Sequence, residues 1–135
     1  GILTYLGDTN LSYSPELVIG NALTYKPSDN LNISFLTKII GDQYMSNIDS
    51  ENSKLDSYSV SDLNVSYQLN PTLGLKTITI NLLVNNILDK KYISNGYFYT
   101  YEDNWTNSDS IKTIEGAGYY PQAGINFILG LTIDF

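Results

Sequence analysis

The chain has 135 residues, seven basic against 14 acidic side chains, a net charge of −7, 12 Tyr and four Phe, and neither Cys nor His. That balance excludes nucleic acid as a partner, since binding phosphates needs a basic face. The missing Cys and His remove disulfides, thiolate metal sites, the commonest metal ligand and the usual general base near neutral pH. A chain rich in Tyr, Thr and Ile but poor in Ala, Glu and Lys reads as β rather than helix. No apolar run approaches the ~18–20 residues of a membrane helix, whereas ~9–11 alternating residues suffice for a membrane strand.

Residues 1–14 mix Gly, Asn, Asp and Ser with isolated apolar residues and read as a loop or an incomplete strand. The start at Gly1, without Met or a leader, implies processing, engineering or a fragment. A first strand is predicted over 15–26, where Leu17, Ile19, Leu23 and Tyr25 alternate with Gly20, Ala22 and Thr24 while Asn21 interrupts the oily side. KPSDN (26–30) reads as a short turn. The second strand, 30–42, sets Leu31, Ile33, Phe35 and Ile39 against Asn32, Ser34 and Lys38. Residues 43–57 lose all periodicity and read as a polar loop.

The third strand, 57–69, alternates Leu63, Val65, Tyr67 and Leu69 with Asp62, Asn64, Ser66 and Gln68. After a tight NPTLG turn (70–74), the fourth, 75–88, sets Ile78, Ile80, Leu82 and Val84 against Thr77, Thr79, Asn81 and Asn85. A long excursion over 87–118 follows, rich in aromatic and small polar residues. The last strand, 119–135, carries Ala123, Ile125, Phe127, Leu129, Leu131, Ile133 and Phe135 on one side and Gln122, Gly124, Asn126, Ile128, Gly130, Thr132 and Asp134 on the other. Soluble strands usually run to about five or six residues, and this one keeps its phase far longer.

The connections run short, long, short, very long. In an up-and-down meander this collects both tight turns at one end and both long loops, 43–57 and 87–118, at the other, as in outer-membrane barrels with short periplasmic turns and long outer loops. Phe135 then falls on the periplasmic side. Tyr25 and Tyr67 precede the tight turns, and Tyr44, Tyr58, Tyr92 and Tyr119 stand where strands meet long loops, the two positions of interfacial girdles.

NNILDKKYISNGY (85–97) resembles a segment near the end of TonB-dependent outer-membrane receptors, and YYPQAGINFILGLTIDF (119–135) resembles the closing strand of that family. YSPEL, YKPSDNL and LDSYSVSDLNVSY are similar to further strands, so the resemblance covers about residues 12–135. It implies an all-β fold, an antiparallel up-and-down transmembrane β-barrel, of which this chain holds about the last five of 22 strands. It also implies import of a scarce nutrient (iron siderophore, haem, cobalamin or oligosaccharide) across the bacterial outer membrane, with the C-terminus periplasmic. The implied partners are outer-membrane lipid and lipopolysaccharide, the remainder of the barrel and its plug, TonB through that plug, and the barrel-assembly machinery. Five strands do not close a barrel, which takes at least about eight, so the expected whole is a longer receptor.

Candidate site residues follow. Phe135, a terminal aromatic on an alternating strand, resembles the assembly signal of such barrels, and as a girdle residue it would also pack against lipid. Tyr97, Phe98, Tyr99, Tyr101 and Trp105 are candidate ligand-contacting aromatics of the outer loop, set against the plainer reading that they pack the loop onto its neighbours. Asp49, Glu51, Asp103 and Asp109 lack calcium-loop spacing and read as solvated charge, so neither metal nor cofactor is expected. GAG (116–118) reads as a flexible loop end and Lys90–Lys91 is too small a basic patch. Nothing points to an enzyme: no nucleophile motif surrounds any Ser. The readings kept beside the receptor are a soluble secreted β-sandwich or adhesin domain and, behind it, an outer-membrane barrel enzyme.

Overall fold

Nine strands follow one another in the computed structural model, which describes residues 5–70, 76–106 and 111–135: β1 (Val18–Ser28), β2 (Leu31–Ile40), β3 (Gln43–Tyr44), β4 (Lys54–Leu55), β5 (Tyr58–Leu69), β6 (Thr77–Asn85), β7 (Ile93–Asp103), β8 (Lys112–Pro121) and β9 (Asn126–Asp134). The protein is all-β with antiparallel sheets, and the described residues contain one 3₁₀ turn and no α-helix. It divides into two bodies.

The first body comprises Val18–Ile39, Ser59–Lys91 and Ala123–Phe135. Its open sheet has the order β1-β2-β5-β6-β9, so spatial neighbours succeed one another along the chain apart from the four strands set into the long connections. Register fixes the faces. Leu63, Val65, Tyr67 and Leu69 of β5 stand opposite Val84, Leu82, Ile80 and Ile78 of β6, which in turn stand opposite Phe127, Leu129, Leu131 and Ile133 of β9. Because side chains alternate, these residues form one continuous oily face across three strands. On the other face Ser66 meets Asn81 and Asn81 meets Gly130, while Gln68 meets Thr79 and Thr79 meets Thr132. Hydrogen bonds tie this polar face: the Asn85 amide donates to Asn126 Oδ1 at 2.9 Å, Thr77 donates to the Asp134 carboxylate, and the Thr24 and Ser34 hydroxyls bond at 3.0 Å.

No apolar residue of this body is buried among those described: the oily residues of β6 are half-buried and those of β9 largely exposed. Phe127, Leu129 and Leu131 are 75, 70 and 63% exposed, while the buried residues of this body, among those described, are Ser61 and Asn86.

Strand ends depart from the alternation in two places. The first strand runs on through Lys26 and Pro27 to Ser28, leaving Asp29 and Asn30 as the turn. Pro27 lacks a ladder N–H, but β1 is an edge strand, where that loss is tolerated. The NPTLG turn falls largely outside the described residues.

The second departure corrects the reading of 119–135 as one strand: Tyr119–Pro121 belong to β8, and β9 begins at Asn126. The break is made by residues far back in the chain. Asn86, with φ +49°, is 3% exposed and spends its side chain fully: Nδ2 donates to Lys90 O at 2.9 Å and Ala123 O at 3.1 Å, and Oδ1 accepts from the Lys90 N–H at 2.9 Å. Its own N–H donates to Asp62 Oδ1 at 2.8 Å. Asp89, φ +48°, accepts from the Ile125 N–H at 2.9 Å and from Lys91 Nζ at 3.0 Å. Gly124 lies against the same carboxylate, where a Cβ would collide with it. Polar partners therefore claim the backbone at Ala123 and Ile125, although the oily alternation continues through both.

The second body comprises Gly1–Leu17, Ile40–Tyr58 and Tyr92–Gln122. Here both stretches read as loops contain strands. In 43–57, β3 pairs with β4, and the turn Glu51–Ser53 is capped by Ser50, whose hydroxyl accepts from the Asn52 N–H at 3.3 Å. Ile40, Met45 and Leu55 are buried as a small apolar core, and Ser53 is enclosed with its hydroxyl directed at the carbonyls of Ile48 and Ser50. In 87–118, β7 and β8 form an antiparallel hairpin. Local polarity hid both, because their stabilising contacts come from sequence-distant segments rather than from an oily stripe.

Candidate functional site

The β7–β8 hairpin has two unlike faces. The register pairs Tyr97 with Gly118, Tyr99 with Gly116, Tyr101 with Ile114 and Asp103 with Lys112, and alternation puts these eight residues on one face, continued in the same register by Asn95 and Tyr120 up to a bulge between Ile93 and Asn95. The three tyrosines are each about half exposed. Centroids of Tyr97 and Tyr99 lie 6.3 Å apart with planes 17° from parallel, Tyr99 and Tyr101 6.4 Å apart at 15°, and Tyr101 and Trp105 6.0 Å apart at 2°. Tyr120 adds a tilted ring 6.1 Å from Tyr97. The spacing of the three tyrosines is close to that of alternate residues along a strand, about 6.6 Å, so the β7 backbone sets their pitch, while Trp105 joins the row from beyond the strand's end.

Glycines seat the rings. A Cβ on Gly116 would collide with the Tyr99 ring, and one on Gly118 with the Tyr97 ring. Gly116–Gly118, expected as a flexible loop end, is instead part of β8, and its two glycines leave room for tyrosine rings to lie across the hairpin. This exchange of side-chain bulk between paired strands is a known device for stabilising glycine in sheets.

The opposite face is fastened down. Glu115 accepts from the Ser50 hydroxyl at 2.6 Å and the Asn52 amide at 2.8 Å, which together hold its carboxyl below the usual range. Tyr119 Oη donates to Asn52 O at 3.4 Å. Gly96 lies against Met45 and the Gly118 carbonyl too closely for any side chain, and Tyr13 Oη donates to Gly96 O at 2.9 Å. At the tip of the strip Asp103 accepts from the N–H groups of Trp105 at 3.2 Å and Thr106 at 3.1 Å. The Thr106 hydroxyl and N–H, then the Trp105 N–H and the nearby Lys112 charge, lower its pKa.

Of the five aromatics singled out from the sequence, Tyr97, Tyr99, Tyr101 and Trp105 come together on the exposed face; Phe98 lies on the other, opposite Ala117, and is half-buried. Tyr120, Gly116 and Gly118 belong to the strip, although the sequence reads the two glycines as a loop end and Tyr120 as part of the last strand. The signal was present in two matching two-residue repeats, Y-F-Y-T-Y and G-A-G, a hairpin apart. Phe135 follows β9 and is 79% exposed. Asp49 accepts from the Asn10 N–H and side-chain amide at 3.0 and 3.2 Å, and Asp109 lies outside the described residues. No group of three metal-ligating side chains occurs among the described residues. The Tyr58 and Tyr92 rings stack with centroids 4.4 Å apart.

Chemically, the strip offers a row of near-parallel, part-exposed aromatic rings with phenol hydroxyls on a braced backbone, which suits binding by contact and stacking. No family model, curated protein or solved structure matches the chain.

Proposed function

We propose that the chain is the C-terminal part of the barrel of a TonB-dependent outer-membrane receptor, which imports a scarce nutrient through the outer membrane with energy coupled through its plug. One observation carries the reading: a sheet whose apolar residues line up in one continuous face across three strands, none of them buried and those of β9 largely exposed, while the buried residues of that body, among those described, are Ser and Asn. In water such a face costs about 25 cal/mol per Å² left uncovered, so it needs a covering medium, and a hydrocarbon bilayer supplies one to every strand at once. The polar face of Asn, Thr, Ser and Gln then turns towards a wet lumen.

Connectivity supports the same reading. Strands β1 and β2 are joined by two residues, whereas the long connections, including the one with the aromatic strip, leave from the opposite strand ends. Those long connections correspond to outer loops, and the strip to a ligand-contacting surface. The resemblance of 85–97 and 119–135 to the receptor family points the same way.

Phase partition tests it. The protein should enter the detergent-rich phase and require detergent or lipid to stay dispersed; a monomer stable in detergent-free buffer would overturn the proposal.

A further inference from the structure

We infer that the strip Tyr97–Tyr99–Tyr101–Trp105 binds a linear, electrically neutral oligosaccharide. The inference names the ligand class of the site described above and rests on the receptor reading for transport of the sugar, not for its binding.

Shape supplies the first reason. Four near-parallel rings at steps of 6.3, 6.4 and 6.0 Å make a repeating surface in a line rather than a cage or pocket. A compact chelate or a single cation would engage one or two of them, and a lone cation gains most from rings that surround it. A chain of sugar rings presents an apolar C–H face at each unit, with hydroxyls at the edges to meet the phenols and amides alongside.

Charge supplies the second. Among the described residues of this face the charged side chains are Asp103 and Lys112, which stand opposite each other across the ladder, and the Asp103 carboxylate already holds two loop N–H groups. Glu102 and Glu115 belong to the other face. The described strip is thus neutral within a chain of net charge −7, and its described residues offer no cation in excess to neutralise the carboxylates or sulfates of an acidic glycan or the propionates of haem.

Preorganisation supplies the third. The glycine seats receive the Tyr97 and Tyr99 rings and the Glu115 bonds brace the hairpin that carries them, and each tyrosine has only two side-chain torsions to fix, so little freedom is lost on binding.

Trp105 is the sole tryptophan and ends the strip, so its emission reports occupancy. The full chain in detergent is titrated with maltoheptaose, cellohexaose, xylohexaose and chitohexaose, with the corresponding monosaccharides, and with heparin and haem as anionic probes. At least one neutral oligomer should perturb Trp105 saturably and bind at least tenfold tighter than its monosaccharide. Tyr99→Ala should weaken it about tenfold, with Tyr99→Phe close to the parent and Thr100→Ala, on the far face, unchanged. Unchanged circular dichroism guards against misfolding, and Gly116→Val, which evicts the ring while keeping it in the sequence, should weaken binding in the same direction. No response to all four oligomers, tighter binding of heparin or haem, or equal affinity for oligomer and monosaccharide overturns the inference. A protein that partitions into detergent yet binds none of the oligomers loses only this inference; one that binds sugar yet stays in the aqueous phase loses only the receptor reading.

Discussion

Gly116 stands directly across the β7–β8 ladder from Tyr99, and the Tyr99 ring lies in the space that a Cβ at position 116 would fill. Valine at 116 forces one of the two to move. Since the ring is half exposed and can yield into solvent when its seat is filled, Gly116→Val should cost about 1 kcal/mol, the low end of overpacking penalties, and should shift Trp105 emission. In a Tyr99→Ala background the same substitution should cost almost nothing. Denaturant midpoints of the four proteins give the coupling, and additive penalties would refute the seat.

Asn86 unites a left-handed backbone with a buried amide making three hydrogen bonds. Asn86→Ala removes the bonds and also places an ordinary side chain at φ +49°; Asn86→Gly removes the bonds alone. The alanine variant should lose about 3 kcal/mol and the glycine variant about 1 kcal/mol less. Unfolding in detergent measures both. Equal losses would mean that the backbone conformation contributes nothing.

Asp89, at the start of the long excursion, has its pKa lowered from 3.8, first by the Ile125 N–H and then by Lys91. A depressed folded-state pKa contributes stability that is fully present above the unfolded value and lost as the pH falls through the folded one. The pin between residues 89 and 125 should therefore hold at neutral pH and release below about pH 4. The Ile125 amide resonance should titrate with a midpoint below 3.8, and Asp89→Asn should abolish that titration.

Leu129 lies midway along β9 on the oily face, paired with Leu82, while Asn81 lies on the polar face opposite Gly130. If lipid covers the first and water the second, Leu129→Arg should destabilise the protein in bilayers by about 2–4 kcal/mol, and Asn81→Lys should be nearly neutral. The reverse order would place the membrane on the wrong side of the sheet.

Phe135→Ala should slow insertion into the outer membrane while leaving the final structure intact. Heat-modifiable migration on gels, followed over time, checks this; assembly at the parental rate would remove Phe135 as a signal.

The five strands of the larger sheet were legible because their stabilisation is a repeated local pattern: each alternates oily and polar residues, and the structure lines up Leu63, Val84 and Phe127, then Val65, Leu82 and Leu129, across three of them. What escaped notice depends on distant partners. The gap before β9 is imposed by Asn86 and Asp89 on residues 36 and 37 positions away, while Ala123 and Ile125 keep the strand phase. The β7–β8 hairpin sits in a polar stretch whose two faces differ by ring size rather than hydrophobicity. Its aromatics were visible individually; their arrangement became visible only once Gly116 and Gly118 were placed beneath them.

The outermost strands β1 and β9 each present a free edge of backbone donors and acceptors. Any strand that docks there inherits a parity rule. A shift of two residues along β9 still brings like face to like face, so a neighbour can slide in pairs at modest cost. A shift of one would set polar side chains beside Phe127, Leu129 and Leu131 and leave the incoming strand's oily ones among the Asn and Thr. Assembly at this seam is thus selective about odd and even before it is selective about sequence.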